Sequence, residues 1–179
     1  METGEETLHI GTYNLNEWIR QVSEAFRGEL EYKKISLVYC LDSSVGDVPF
    51  DAAKCEIILS NLIMNALKFS DESTTVTISS CLEQGYARVL VSDEGIGLAN
   101  VDMTRLFDRF YQGEHGRKGS GIGLSYSRML VEMHGGRIGV MNNVGKGATF
   151  YYELPLNNTI VLIAAKSYLN ELLVSPEMK

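Results

Sequence analysis

Residues Ile57 to Ser70 read IILSNLIMNALKFS, and this stretch restricts the fold more than any other in the chain. Plotted at about 3.6 residues per turn, Ile58, Leu62, Ala66 and Phe69 form one stripe, and Ile57, Leu59, Ile63 and Leu67 widen it. A helix apolar over so much of its circumference belongs at the centre of a fold, covered by other elements. Asn61, Asn65 and Lys68 cut a narrow polar stripe into that surface at i, i+4 and i+7. A buried amide without partners costs about 1 to 3 kcal/mol, so the stripe is expected to meet something polar, either a ligand or water along a solvated edge.

The elements around this helix follow from periodicity and turn residues. LNEWIRQVSEAFRGELEYK places Trp18, Val22, Phe26 and Leu30 at helical spacing, and KISLVYCL after it reads as a strand. The central helix begins after Asp51, a good N-cap. TTVTISSCLE and YARVLVSDE alternate as a hairpin around Gln84-Gly85. A third helix, IGLSYSRMLVEMHGG, carries Ile122, Tyr126, Met129, Leu130 and Met133 on one face and stops at Gly135-Gly136. RIGVMNN, VGKG and ATFYYELP form a second hairpin. Helix, strand, helix, two strands, helix, two strands predicts an α+β fold: a two-layer sandwich whose open mixed sheet is covered on one face by three helices. The charged, aperiodic stretch between Gly97 and Gly119 is a lid candidate.

The chain has 179 residues, 45% of them apolar, which suits one ordinary domain. A formal charge of -7 argues against nonspecific nucleic-acid or anionic-membrane binding. Cys40, Cys55 and Cys81 show neither disulfide nor zinc spacing, as expected of a reducing cytoplasm. TIVLIAA, the longest uncharged apolar run, is too short to span a bilayer, and METGEETLHIGTY lacks the basic-then-apolar order of a signal peptide. No membrane contact is expected of this piece.

Three glycine clusters remain: DEGIGL at a strand end, GSGIGL at a helix start and GKGAT in the last hairpin. GSGIGL is G-x-G-x-G and not the dinucleotide fingerprint G-x-G-x-x-G. Lys118 and Lys146 are each followed by glycine, so a P-loop is excluded.

In order, the asparagine helix, DEGIGL, LFDRFYQG, GSGIGLS and GKGATF closely resemble the asparagine, first glycine, phenylalanine, second glycine and third glycine boxes of sensor histidine kinases. These kinases share the Bergerat ATP-binding fold with DNA gyrase, a heat-shock chaperone and mismatch-repair ATPases. The resemblance covers residues 8–156 and implies a protein-histidine kinase catalytic domain with Mg²⁺ and ATP as cofactors. It implies Asn65 as the Mg²⁺ ligand, Asn61 facing the same pocket, Lys68 reaching phosphate and Phe69 lying against the nucleotide, although Phe69 as a plain core residue fits equally well. It also implies Asp93 as acceptor for the adenine 6-amino group, Gly95 and Gly97 as sites where the backbone approaches the base, and Arg109 as the lid arginine of the γ-phosphate. Phe107 and Phe110 would anchor one helical turn around it. Gly119, Gly121 and Gly123, followed by Leu124, resemble the loop that cradles phosphate, and Thr149 a residue that meets adenine through water, or simply a strand threonine.

Hydrolytic members and related serine kinases carry a glutamate one turn before the magnesium asparagine, where this chain has Asn61. A neutral amide is no general base, so the resemblance favours phosphoryl transfer to a histidine over a self-contained ATPase or serine kinase. A nonenzymatic nucleotide-binding module is the other alternative. The acceptor histidine of such kinases sits on a dimerising helical hairpin, and His9, His115 and His134 do not match its motif. The resemblance therefore implies partnership with the dimerisation and phosphoacceptor domain of the same kinase and, indirectly, with a response regulator. It also implies a monomeric fragment of a membrane-anchored homodimer. Residues 1–7 read as a disordered or added start, and 157–179 as a C-terminal extension or interdomain linker in which KSYLNELL is helical.

Overall fold

The computed structural model describes residues 7–99, 101–111, 121–157 and 166. The N-terminal helical stretch is two helices, α1 (Leu15–Glu24) and α2 (Arg27–Lys33), where a single helix is predicted from spacing. Asn14 caps α1, its side chain accepting the Glu17 N–H at 3.0 Å. At Phe26 the backbone leaves helical geometry (φ -95°, ψ 1°), and the ring packs on the core. Tertiary packing of Phe26 thus overrides the periodicity that runs through it.

Two short strands escape a pattern reading. The strand β1 (Gly11–Asn14) pairs antiparallel with β3 (Asp47–Phe50), with Gly11 opposite Phe50. Four residues are too few to display a period, and the pair is held by packing: the Trp18 ring meets Phe50 edge-on at 5.0 Å and Tyr13 meets it at 5.2 Å.

The main sheet has five strands in the order β2 (Ser36–Leu41), β4 (Thr75–Glu83), β5 (Tyr86–Asp93), β7 (Ala148–Pro155), β6 (Arg137–Asn142). Only β2 and β4 run parallel, so the sheet is mixed as the element order implies. Val76, Ile78, Val89, Val91, Phe150, Tyr152 and Leu154 point to the helical side and are buried. The opposite face carries a charged cluster: Glu153, almost fully buried, is ion-paired with both Arg88 and Arg137, whose guanidinium groups lie over the Tyr151 and Tyr86 rings.

The central helix α3 (Ala52–Phe69) and α4 (Gly123–Met133) lie side by side on the helical face, with α1 against α3. Ile58, Leu59, Leu62 and Ile63 are all at or below 1% exposure, so α3 occupies the central position its composition demands. Its apolar surface stops short of a full circle, because Ile57 is 39% and Met64 46% exposed. His134, at the end of α4, is fully buried; its Nδ1–H meets the Leu130 carbonyl at 2.7 Å and its Nε2 accepts the Asp51 N–H at 3.1 Å. One imidazole thereby ties the end of α4 to the start of α3, with Asp51 capping α3 through Lys54 N as predicted.

Candidate functional site

Of the residues singled out in the sequence, Phe69, Asp93, Gly95 and Gly97 come together with the β6–β7 turn at the end of α3, and Asn61 meets Gly123 at the start of α4. Asp93 closes β5 as one of the few buried carboxylates of the described residues. Its Oδ1 accepts the Gly95 N–H at 2.9 Å and the Ala148 N–H at 3.3 Å, which orients the carboxyl plane and leaves Oδ2 to point elsewhere. Burial raises its pKa above the ordinary 3.8, and the two N–H donors partly offset that rise.

The glycines around Asp93 answer first to the protein. A Cβ at Gly95 would lie 2.3 Å from the Phe69 carbonyl oxygen, so this glycine lets the loop after β5 dock on the end of α3, where Ile96 N also donates to that carbonyl at 3.4 Å. Gly97, at φ +68°, faces Asn142 Oδ1 and the Gly147 carbonyl. Both glycines thus have a packing reason of their own, since a Cβ at either would crowd atoms of this chain.

On α3 the polar stripe divides. Asn61 donates both Nδ2 protons to α4, to Gly123 O at 3.2 Å and to Ser127 Oγ at 3.0 Å. Its amide nitrogen thus joins two helices, a structural tie that the sequence reading of Asn61 as a pocket-facing residue does not include. Asn65, one turn on, is half-buried, and its side chain makes no hydrogen bond with a described residue. The Lys68 ammonium lies 4.9 Å from the centre of the half-buried Phe69 ring, so these two share the last turn of the helix.

Thr149 is a strand residue of β7. It pairs with Ser92, which precedes Asp93, so its side chain and the Asp93 carboxylate occupy opposite faces of the sheet. Its hydroxyl donates to Asn143 Oδ1 at 2.7 Å and lies 2.9 Å from Ser92 Oγ. The residue that reaches Asp93 from β7 is Ala148, through its backbone N–H.

The segment 101–111 is a succession of turns. Asp102 accepts from Thr104 N at 3.0 Å and Thr104 Oγ1 at 2.6 Å, and Arg105 lies over the Tyr111 ring at 5.0 Å. Phe107 packs against the core as expected, but Phe110 is 72% exposed at φ +63° and anchors nothing through its ring. It is the Phe110 backbone that is fixed, its N–H donating to Gly121 O at 2.9 Å, and a Cβ at Gly121 would come within 2.8 Å of that backbone. Arg109 is exposed. Gly123 and half-buried Leu124 open α4, with Leu124 packed on the core. Gly119, His115 and the apolar and helical parts of the tail, Lys166 apart, lie outside the described residues. Among the described residues no group of three or more His, Cys, Asp or Glu side chains has the arrangement of a metal site, and no helix is long and apolar enough to cross a membrane.

Residues outside the quoted motifs also enter the site: Ser92, Ser127, Asn142 and Asn143. The only sequence trace of the asparagines is the NN pair that precedes the hairpin turn.

Comparison with known proteins places this geometry. A family model described as histidine kinase-, DNA gyrase B-, and HSP90-like ATPase matches residues 50–158. The alginate biosynthesis sensor protein KinB of Pseudomonas aeruginosa is 28% identical over 155 residues, which are 87% of this chain and 26% of KinB. Sensor histidine kinase TmoS of Ectopseudomonas mendocina is 35% identical over 163 residues, 88% of this chain and 16% of TmoS. The chain thus spans about a quarter or less of the length of these two relatives. Among solved structures, the nucleotide-free catalytic domain of histidine kinase ThkA superposes with a TM-score of 0.76 at 26% identity, covering 85% of this chain and 99% of that one. Full-length ShkA in complex with AMPPNP superposes at 0.75 with 29% identity, covering 83% of this chain and 31% of ShkA.

Proposed function

Because the chain belongs to the histidine kinase-, DNA gyrase B-, and HSP90-like ATPase family, we propose that it is the catalytic domain of a two-component sensor histidine kinase. In this reading it binds Mg·ATP and passes the γ-phosphoryl to a histidine on the dimerisation domain of the same kinase, which in turn serves a response regulator. The observation that carries the reading is Asp93: a buried carboxylate at a strand end, one oxygen held by two backbone N–H groups and the other left for a ligand donor. An acceptor there suits the 6-amino group of adenine and opposes the carbonyl oxygen of guanine. The likeness to ShkA, solved with AMPPNP, supports the same reading.

Asn65 fits a magnesium site, since a hard cation takes oxygen ligands and a nucleotide-bound ion needs only one or two from protein. When bound, Mg²⁺ supplies charge neutralisation of the phosphates. Lys68 adds a point charge beside them, Phe69 an apolar wall, and Gly121 and Gly123 open backbone at the start of α4. Arg109 projects from the segment after β5, free of the core, and would meet the charge of the transferring phosphoryl. Asn61 takes no chemical step: with its amide protons committed to α4 it positions the two helices that flank the phosphates. Since no carboxylate stands at that position to activate water, hydrolysis by this chain alone is expected to be close to background.

Calorimetric titration with ATP and GTP, with and without Mg²⁺, tests the reading. Binding that prefers Mg²⁺, discriminates against GTP and disappears in Asp93→Ala is expected, followed by transfer of labelled phosphate to a separately supplied histidine-bearing dimerisation domain. No binding by the folded chain refutes the site. Binding without transfer points to a nonenzymatic nucleotide module, and appreciable hydrolysis by the chain alone to a self-contained ATPase.

A further inference from the structure

Two consecutive side chains at the end of β6 reach both parts of the base pocket. Asn142 Oδ1 accepts the Leu98 N–H at 3.0 Å, holding the loop that leaves β5. Asn143 Nδ2 donates to the Asp93 carbonyl at 3.0 Å and to Ser92 Oγ at 3.1 Å, while its Oδ1 accepts the Thr149 hydroxyl. Ser92 and Thr149 hydroxyls are 2.9 Å apart, so Asn143, Ser92 and Thr149 form a closed hydrogen-bonded triangle behind Asp93. Asn143 N also donates to Gly147 O at 3.1 Å, which locks the turn from which both side chains extend.

We infer that Asn142 and Asn143 are positioning residues for the nucleotide base. Asn143 sets where the Asp93 backbone sits from the outer face of the sheet, and Asn142 sets the distance from Asp93 to the Gly97–Leu98 loop. The pocket is thereby shaped before a ligand arrives, and the ordering of that loop is not charged against binding. The inference rests on the nucleotide reading above. It makes an asymmetric demand on chemistry, because Asn142 acts only as an acceptor whereas Asn143 uses both ends of its amide. Aspartate can replace the first and not the second.

The test uses the whole chain with Mg·ATP as probe: dissociation constants by calorimetry, exchange of the Leu98 amide by NMR without nucleotide, and the melting temperature without nucleotide. Asn142→Leu is expected to weaken Mg·ATP by about three- to tenfold, the loss of one hydrogen bond. It should also speed Leu98 amide exchange and barely move the melting temperature, since Asn142 is exposed. Asn142→Asp should stay within about threefold of the parent, below one hydrogen bond's worth, and keep Leu98 protected. Asn143→Asp should weaken binding like Asn142→Leu. Parent binding with an unchanged Asn142→Leu constant overturns the inference and leaves the nucleotide reading standing. A loss that follows the melting temperature, or Asp failing equally at both positions, also overturns it. A parent chain that binds no Mg·ATP overturns the nucleotide reading itself.

Discussion

The side-chain amide of Asn61 in α3 donates to Ser127 Oγ in α4 at 3.0 Å, joining the helix of the polar stripe to the helix that opens at Gly123. Ser127 is fully buried, so its hydroxyl has no recourse to water if the amide is removed. Asn61→Ala is therefore expected to lower unfolding free energy by about 1 to 3 kcal/mol, read from urea denaturation. A loss under about 0.5 kcal/mol, the size of an ordinary surface change, would show that the two helices pack without this tie.

The Asn61 bond also marks where sequence reading runs out. The central helix, its Asp51 cap, both hairpins and the mixed sheet follow from periodicities of two and 3.6, because each of these elements is long enough to show its pattern. The β1–β3 pair is too short for that, and the break at Phe26 is a packing decision that no local signal announces. The site divides in the same way. Asp93, Asn65 and the glycines are legible because their identities belong to motifs with fixed spacing. Their partners are not, since whether Asn61 faces phosphate or α4, and whether Thr149 or Ala148 reaches Asp93, depends on register and helix crossing. The glycines illustrate the point in reverse: their presence is evident, but their crowding by Phe69, Asn142 and Asp93 appears only in three dimensions.

Tyr152 holds a hydroxyl that is fully buried and has no hydrogen-bond partner among the described residues. Burial, with Cys55 close by, pushes its pKa far up, so the group stays neutral and gains nothing from ionising. Removing an unsatisfied buried hydroxyl while keeping the ring should be neutral or stabilising by up to about 1 kcal/mol. Thermal unfolding of Tyr152→Phe checks this, and a drop in melting temperature would mean that a buried water serves the hydroxyl.

Stability should fall in mild acid through His134. Its Nδ1–H faces the Leu130 carbonyl and its Nε2 accepts from Asp51 N, so a second ring proton would confront a backbone N–H. Burial lowers its pKa below the ordinary 6.5; the Leu130 carbonyl and the Asp51 carboxylate oppose that shift, and Lys54 adds to it. A folded pKa below the unfolded one gives stability that is whole above about pH 6.5 and is lost as pH falls toward the folded value, by at most about 1.4 kcal/mol per pH unit. His134→Gln, which keeps an acceptor but cannot charge, should remove that slope from denaturation curves taken between about pH 5 and 7. An unchanged slope would assign the acid sensitivity to another group.

The β6–β7 turn offers a comparison of two glycines that flank Lys146. Gly145 (φ +94°) and Gly147 (φ +81°) both hold backbone that alanine resists, but a Cβ at Gly145 meets nothing within 4 Å. At Gly147 it would lie 1.8 Å from the Asp93 carbonyl oxygen and 2.9 Å from Asp93 Oδ1. Gly145→Ala is thus expected to cost about 1 to 2 kcal/mol from backbone conformation alone. Gly147→Ala adds a collision with backbone that only a shift of β5 against the hairpin relieves, for a total of about 3 kcal/mol or more. Because the atoms displaced are those of Asp93, Gly147→Ala should also lose Mg·ATP binding at temperatures where it remains folded, while Gly145→Ala binds as the parent does. Equal destabilisation and equal binding in the two variants would mean that the hairpin yields freely, and that the position of Asp93 does not depend on the turn.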